Sequence, residues 1–148
     1  MINFKLLVND FKGSNVDYKI LTVNEKTYNS FFAIVEKSIT NFNNEISWSD
    51  MFDLRDASYR IKNGMKMYIG IIDNEPFGHV WFKDYLDGRM LFNLFVKNKV
   101  ENRKYTGTEF ISDVLKKYEL IKSPIYCEVD EWNEKSIKLF KKLGFQVQ

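Results

Sequence analysis

One cysteine, one histidine and two prolines occur among the 148 residues. The single thiol, Cys127, excludes an internal disulfide framework. It sits in the apolar run Ile125-Tyr126-Cys127-Glu128-Val129, where it reads as a small buried hydrophobe, since a nucleophilic cysteine needs an activating base. The lone histidine, His79, falls within an apparent strand and reads as a sheet residue rather than a catalyst. No run approaches the roughly 18 apolar residues of a membrane span, and the first ten residues lack the apolar core of a signal peptide. The expectation is a cytoplasmic protein without a membrane partner. Net charge is only +2, too little to argue for nucleic acid. Repeats, low-complexity segments and linkers are absent, and Pro76 and Pro124 each stand just before an apolar run. One domain over residues 1–148 is therefore expected.

Phenylalanine, by contrast, is plentiful, with 13 residues. A Phe-rich core accounts for this, and an apolar pocket would account for it too.

Residues 2–8 and 18–23 read as strands. The polar turn between them, residues 9–15, suggests a hairpin, with residues 1–17 as an extra N-terminal strand and turn. Tyr28, Phe31, Phe32, Ile34, Val35 and Ile39 recur at helical spacing, and a polar break at 41–44 follows. A second helix runs from Ser47 or Ser49 as N-cap through Met51, Phe52 and Ala57 to about Ile61, closed by Asn63-Gly64. Lys66–Ile72 and Phe77–Phe82 form a hairpin over the turn 73–76. The Asp87-Gly88 reversal then leads into Met90–Val96, an apolar run expected at the centre of a sheet and buried on both faces. The third helix begins near Thr108, with Phe110, Ile111, Val114, Leu115 and Tyr118 on one face. Ile125–Val129 is a strand, a helix opens at Asn133 and stops at Gly144, and residues 145–148 begin one more strand. This order implies an α/β fold, a mixed sheet with helices on both faces.

Three segments resemble the GNAT superfamily of acyl-CoA N-acyltransferases, over roughly residues 18–148. The first is the hairpin Tyr68–Val80. The second is the strand Leu91–Val96 with the following Asn102-Arg-Lys-Tyr-Thr-Gly-Thr108. The third is Cys127-Glu-Val129, Asn133, Ser136, Leu139-Phe140 and Gly144-Phe145 at the family's spacing. The resemblance implies a GNAT-like fold and transfer of an acetyl or other acyl group from acyl-CoA to a primary amine. Acetyl-CoA is the implied co-substrate, without a metal. A small molecule or a peptide supplies the amine.

By the same resemblance, Phe95, Val96, Arg103, Lys104, Tyr105, Thr106, Gly107 and Thr108 bind the cofactor, in a segment that cradles the CoA pyrophosphate. Backbone N–H groups at a helix N-terminus, with basic side chains, suit that anion. The loop departs from the family pattern in both registers: counted from Arg103 the glycine places hold Thr106 and Thr108, and counted from Asn102 they hold Tyr105 and Gly107. A cofactor phosphate also accounts for the basic cluster Lys97, Lys99, Arg103 and Lys104 without nucleic acid. Asn133, Ser136 and Phe140 are further implied cofactor-binding residues, Asn133 contacting the pantetheine amide and Ser136 being small enough for the cofactor to pass. The family's acid is a Tyr where this chain has Phe140, which has no proton to donate.

Strand alternation puts Cys127 and Val129 on one face and Tyr126, Glu128 and Asp130 on the other, making Glu128 and Asp130 the candidate bases. Asn93, the polar residue of an apolar run, is expected to face the gap that the family has between its central strands. Trp48, Asp50, Asp53, Asp56 and Tyr59 on the second helix would suit a cationic amine. Either residues 2–8 or a partner subunit, in a homodimer, fills the sheet edge where the family often has a further hairpin. A non-catalytic CoA-binding module is the alternative function.

Overall fold

The computed structural model describes residues 2–6, 18–45, 54–97, 107–117 and 124–148. Seven strands and four helices follow in the order β1 (Ile2–Leu6), β2 (Lys19–Val23), α1 (Phe32–Glu45), α2 (Leu54–Lys62), β3 (Lys66–Ile72), β4 (Glu75–Tyr85), β5 (Gly88–Val96), α3 (Gly107–Lys117), β6 (Ile125–Val129), α4 (Glu134–Lys142) and β7 (Gln146–Val147). They build one mixed sheet in the order β2-β3-β4-β5-β6-β1-β7. Every described pairing is antiparallel except β5 with β6. A parallel pair cannot be joined by a tight turn, and α3 lies in the crossover between these two strands.

Two apolar clusters cover the two faces of the sheet. On one face Phe110, Ile111, Val114 and Leu115 of α3 and Phe140 and Leu143 of α4 pack on Phe4, Val80, Phe82, Leu91 and Cys127. On the other, Val35, Ile39 and Phe42 of α1 and Ala57 and Ile61 of α2 pack on Val23, Met67, Ile69, Trp81 and Phe95. The phenylalanines are therefore mainly core. Among the described residues no helix is long and apolar enough to cross a membrane.

The two-residue turn Asp73-Asn74 joins β3 to β4 with φ of 50° and 64°. That is the type I′ signature, whose twist matches the flanking strands. The expected turn over 73–76 is thus tighter, and Glu75 and Pro76 already belong to β4.

Three further expectations are corrected. First, β1 and β2 form no hairpin. β2 lies at one edge of the sheet, whereas β1 lies between β6 and β7. Tertiary pairing outweighs the local turn signal, because β1 matches β6 over five residues and carries Phe4 into the core opposite Cys127. β1 thus occupies the edge position left open between residues 2–8 and a partner subunit. Residues 7–17 lie outside the described set. Second, α1 does not stop at the polar stretch 41–44 but runs to Glu45. Phe42 is buried against His79 and Phe95, and Asn41 Nδ2 donates to Pro76 O at 3.2 Å, so packing overrides weak helix propensity. Third, β5 is central but not buried on both faces. Leu91 and Phe95 are buried, and Phe92, Asn93, Leu94 and Val96 are only half-buried. The expected start of the second helix at Ser47 or Ser49, with Met51 and Phe52, and the expected packing of Tyr118, lie outside the described residues.

Phe4 is 1% exposed and stacks on Phe140 at 5.9 Å. Phe4→Ala is expected to lower stability by about 3–5 kcal/mol. Urea unfolding checks this, and a loss below about 1 kcal/mol would be incompatible with a docked β1.

Candidate functional site

The candidate site is the place where β5 and β6 part. They pair only from Arg89 to Leu91 against Ile125 to Cys127. β5 continues to Val96 and β6 to Val129 without pairing with each other. Each stays bound on its outer side, β5 to β4 and β6 to β1. A gap therefore opens between their carboxyl ends, where open α/β sheets bind ligands.

Two helix N-termini stand at this end. β6 passes through a short turn into α4, and α3 begins at Gly107 on the chain leaving β5. Because the two strands are parallel, both helices start from the same end of the sheet, and they pack on the same face. Their N-terminal N–H groups and dipoles favour an anion there.

The start of α4 is fixed by Asn133, whose Oδ1 accepts the backbone N–H of Ser136 at 3.2 Å. Its end is a Schellman closure. The N–H of Phe145 donates to Phe140 O and that of Gly144 to Lys141 O, both at 3.0 Å, with Gly144 at φ 97°. The accompanying apolar contact is between Phe140 and Phe145, with ring centroids 5.1 Å apart. Phe140 is thus enclosed by Phe4 and Phe145 in the core.

Across the gap, β5 carries a bulge. Val80 of β4 faces Leu94 and Trp81 faces Phe92, so Asn93 is the extra residue, with φ at 44°. Its Oδ1 lies 2.8 Å from His79 Nε2, and His79 Nδ1 lies 2.6 Å from Ser38 Oγ of α1. With Asn93 Oδ1 as acceptor, Nε2 carries the ring proton, and Nδ1 accepts the Ser38 hydroxyl proton. Burial lowers the His79 pKa to about 4; the Asn93 hydrogen bond opposes that shift and the charge of Arg60 adds to it. The imidazole is neutral at physiological pH.

Cys127 is also buried. Burial, with a contribution from Glu128, raises its pKa to about 12, so it carries no thiolate at neutral pH.

The sequence-derived candidates divide into groups. Asn133 and Ser136 lie together at the start of α4, beside the gap. Glu128 is exposed on β6, on the face opposite Cys127, and Asp130 is half-exposed just after that strand. Phe95 is turned away into the core against Phe42 and His79, and Val96 is half-buried against the α3 cluster. Gly107 and Thr108 open α3. Arg103, Lys104, Tyr105 and Thr106 lie outside the described residues, as do Trp48, Asp50, Asp53 and Lys99. Asp56 and Tyr59 are exposed on α2. Ser38 was not among the sequence candidates. Its signal was a hydroxyl at an inward position, in the buried series Val35, Ser38, Ile39 and Phe42.

Neither a protein-family model nor a curated protein matches the sequence. Solved structures do. A ribosomal-protein-alanine N-acetyltransferase from Brucella melitensis biovar Abortus 2308 superposes with a TM-score of 0.57 at 14% identity, over 85% of this chain and 89% of that one. AAC(6')-Iy, in complex with the bisubstrate analog CoA-S-monomethyl-acetylneamine, gives 0.55 at 15%, over 88% and 92%. A GNAT-family acetyltransferase from Bacillus cereus ATCC 10987 gives 0.53 at 20%, over 88% and 84%. The chain spans only 57% of a functionally unknown Staphylococcus epidermidis protein and 60% of a Novosphingobium aromaticivorans protein assigned to the GNAT family. The chain has the GNAT fold.

His79 generates a pH prediction. Its folded pKa of about 4 lies below the ordinary 6.5, so the fold favours the neutral ring. That contribution is fully present above pH 6.5 and is lost as pH falls toward 4, by on the order of 3 kcal/mol. Urea unfolding at pH 7.5, 6.5 and 5.5 is expected to show the decline, and His79→Gln to flatten it. Equal slopes in both proteins would refute a buried neutral imidazole.

Proposed function

We propose that this chain moves an acetyl group from acetyl-CoA to a primary amine by direct attack on the thioester. The observation carrying this reading is the gap between β5 and β6 with two helix N-termini at its mouth. On this reading the N-terminus of α3, with Gly107, Thr108 and the preceding Arg103, Lys104, Tyr105 and Thr106, holds the cofactor phosphates. The backbone of β5 at Phe95 and Val96 runs beside the pantetheine arm. Asn133 uses Oδ1 for its cap and retains an amide N–H₂ to donate to that arm. Ser136 is small enough to let the arm pass. The acetyl carbonyl lies in the gap, where a backbone N–H of β5 polarises it. Binding amine and thioester in line supplies much of the rate.

Glu128 or Asp130, directly or through water, takes the amine proton. A water or another hydroxyl protonates the departing thiolate, because Phe140 is buried and has no hydroxyl. The acceptor is a small-molecule or peptide amine. AAC(6')-Iy, with its acetylneamine analog, and the ribosomal-protein-alanine enzyme illustrate that range on the same fold. The enclosed Phe140 also favours a second reading, a CoA-binding module that does not turn over.

Calorimetry with acetyl-CoA tests the shared part of both readings, and absence of binding would sink both. A thiol-release screen against polyamines, aminoglycosides, amino acids and peptide N-termini separates them. Turnover is expected with at least one class. Glu128→Gln and Asp130→Asn are then compared, and the base is the one whose loss lowers kcat by about 10²–10⁴-fold while CoA binding is kept. If neither substitution changes kcat, the base assignment is wrong.

A further inference from the structure

The hydrogen-bonded series Ser38, His79 and Asn93 lies outside the roles just assigned. Its members come from three elements, α1, β4 and β5. Ser38 is 1% exposed and His79 0%, so both are sealed from water. Buried polar groups persist where each finds a partner, and here both imidazole nitrogens are engaged. The ring is also packed between neighbours, with Phe42 at 5.8 Å and Phe95 at 5.3 Å between centroids. An imidazole so held has one orientation, and it presents its Nε2–H to one place, the side chain of Asn93.

Asn93 is where the series meets the gap. The described non-glycine residues with positive φ are Asp73, Asn74 and Asn93, and the first two form a hairpin turn. Asn93 alone of the three lies within a strand. A left-handed residue in a strand is strained unless its surroundings hold it there. The bulge falls two residues after Leu91, the last residue of β5 paired with β6. The strained residue and the parting of the strands thus coincide.

We propose that Ser38 and His79 are positioning residues that clamp Asn93 in its left-handed conformation, and thereby fix the stretch of β5 lining the gap. The inference rests on the acyl-transfer reading only for its kinetic consequence. The clamp itself is a property of the fold. Ser38 donates to Nδ1 and so keeps the ring proton on Nε2. His79 donates from Nε2 to Asn93 and holds the bulge. The bulge sets the direction of the Phe92–Val96 backbone, whose N–H groups meet the thioester on the proposed reading.

Four variants test it: His79→Leu, His79→Gln, Asn93→Ala and Asn93→Gly. Leucine fills the space without either hydrogen bond. Glutamine offers an amide N–H to Asn93 and a carbonyl to Ser38. Glycine adopts positive φ unaided, whereas alanine does not. With an amine that turns over, His79→Leu and Asn93→Ala are expected to lower kcat on the order of 10²-fold, the effect of a misplaced reacting group. The calorimetric Kd for CoA should rise far less than kcat falls, because the phosphate-binding end of α3 is untouched. His79→Gln and Asn93→Gly should recover most of the loss. A merely structural role would instead lower thermal stability in all four variants and leave kcat of the folded fraction alone, and that result overturns the proposal.

If no amine turns over, NMR still decides the clamp. The protein has a single histidine. Its ring ¹⁵N shifts are expected to report a neutral Nε2–H tautomer. The amide shifts of residues 92–96 should move in His79→Leu and return in His79→Gln. An Nδ1–H tautomer, or β5 amides indifferent to His79→Leu, overturns the clamp whatever becomes of the acyl-transfer reading.

Discussion

The parallel pairing of β5 with β6, and its early end, is the constraint on which the rest of this structure depends. A parallel neighbour requires a crossover, and α3 supplies it. Because the two strands run the same way, the helices that follow them start from one end of the sheet. The pairing covers three residues on each strand, whereas β4 and β5 pair over eight positions and β1 and β6 over five. Each central strand is therefore held more firmly on its outer side than to its partner. The gap stays open because closing it would break longer antiparallel ladders to gain a short parallel one.

This places unusual weight on β1. In sequence it is the first segment and looks like half of a local hairpin. In the fold it is the strand that holds β6 away from β5, and it brings Phe4 beneath α4. Sequence reading identified it as a strand but not its partner, because register and neighbour are tertiary properties, decided by which edge is exposed when the chain collapses. Where local physics dominates, the reading held. Periodicity gave α3 and turned Val35 and Ile39 of α1 inward, although Phe32 of the same series is exposed; Gly144 marked the end of α4, and alternation sorted Cys127 and Val129 from Tyr126 and Glu128. It failed at residues 41–44, where Asn41 and Asn43 are half-buried on a helix whose Phe42 is firmly anchored.

Only single positions of the candidate site were legible. Asn93 stood out as a polar residue in an apolar run, and Asn133 as a cap before a helix. What one sequence could not give was the link from Asn93 to His79, fourteen positions away, or from His79 to Ser38, forty-one away. Pairs at such separations leave no local pattern. Only the presence of a serine among the inward residues of α1 hinted that something polar waited across the interface.

The two sides of the gap differ in kind, and the difference bears on chemistry. The β5 side is backed by a neutral, sealed hydrogen-bond series and by Phe42 and Phe95, an environment suited to holding a backbone still. The β6 side carries Glu128 in water and is backed on its other face by the aromatic group Phe4, Phe140 and Phe145. Phe140 completes the helix closure as the apolar partner of Phe145, and a hydroxyl there would need its own buried partner. The packing that fastens β1 and α4 together thus works against an acid at this position. On the proposed reading, catalysis then falls to what the gap retains: a rigid polarising strand on one side and exposed carboxylates on the other. Such a site depends more on positioning than on proton transfer to the leaving group. A thiolate tolerates this, because it is a far weaker base than an alkoxide or an amide ion and needs less help to depart.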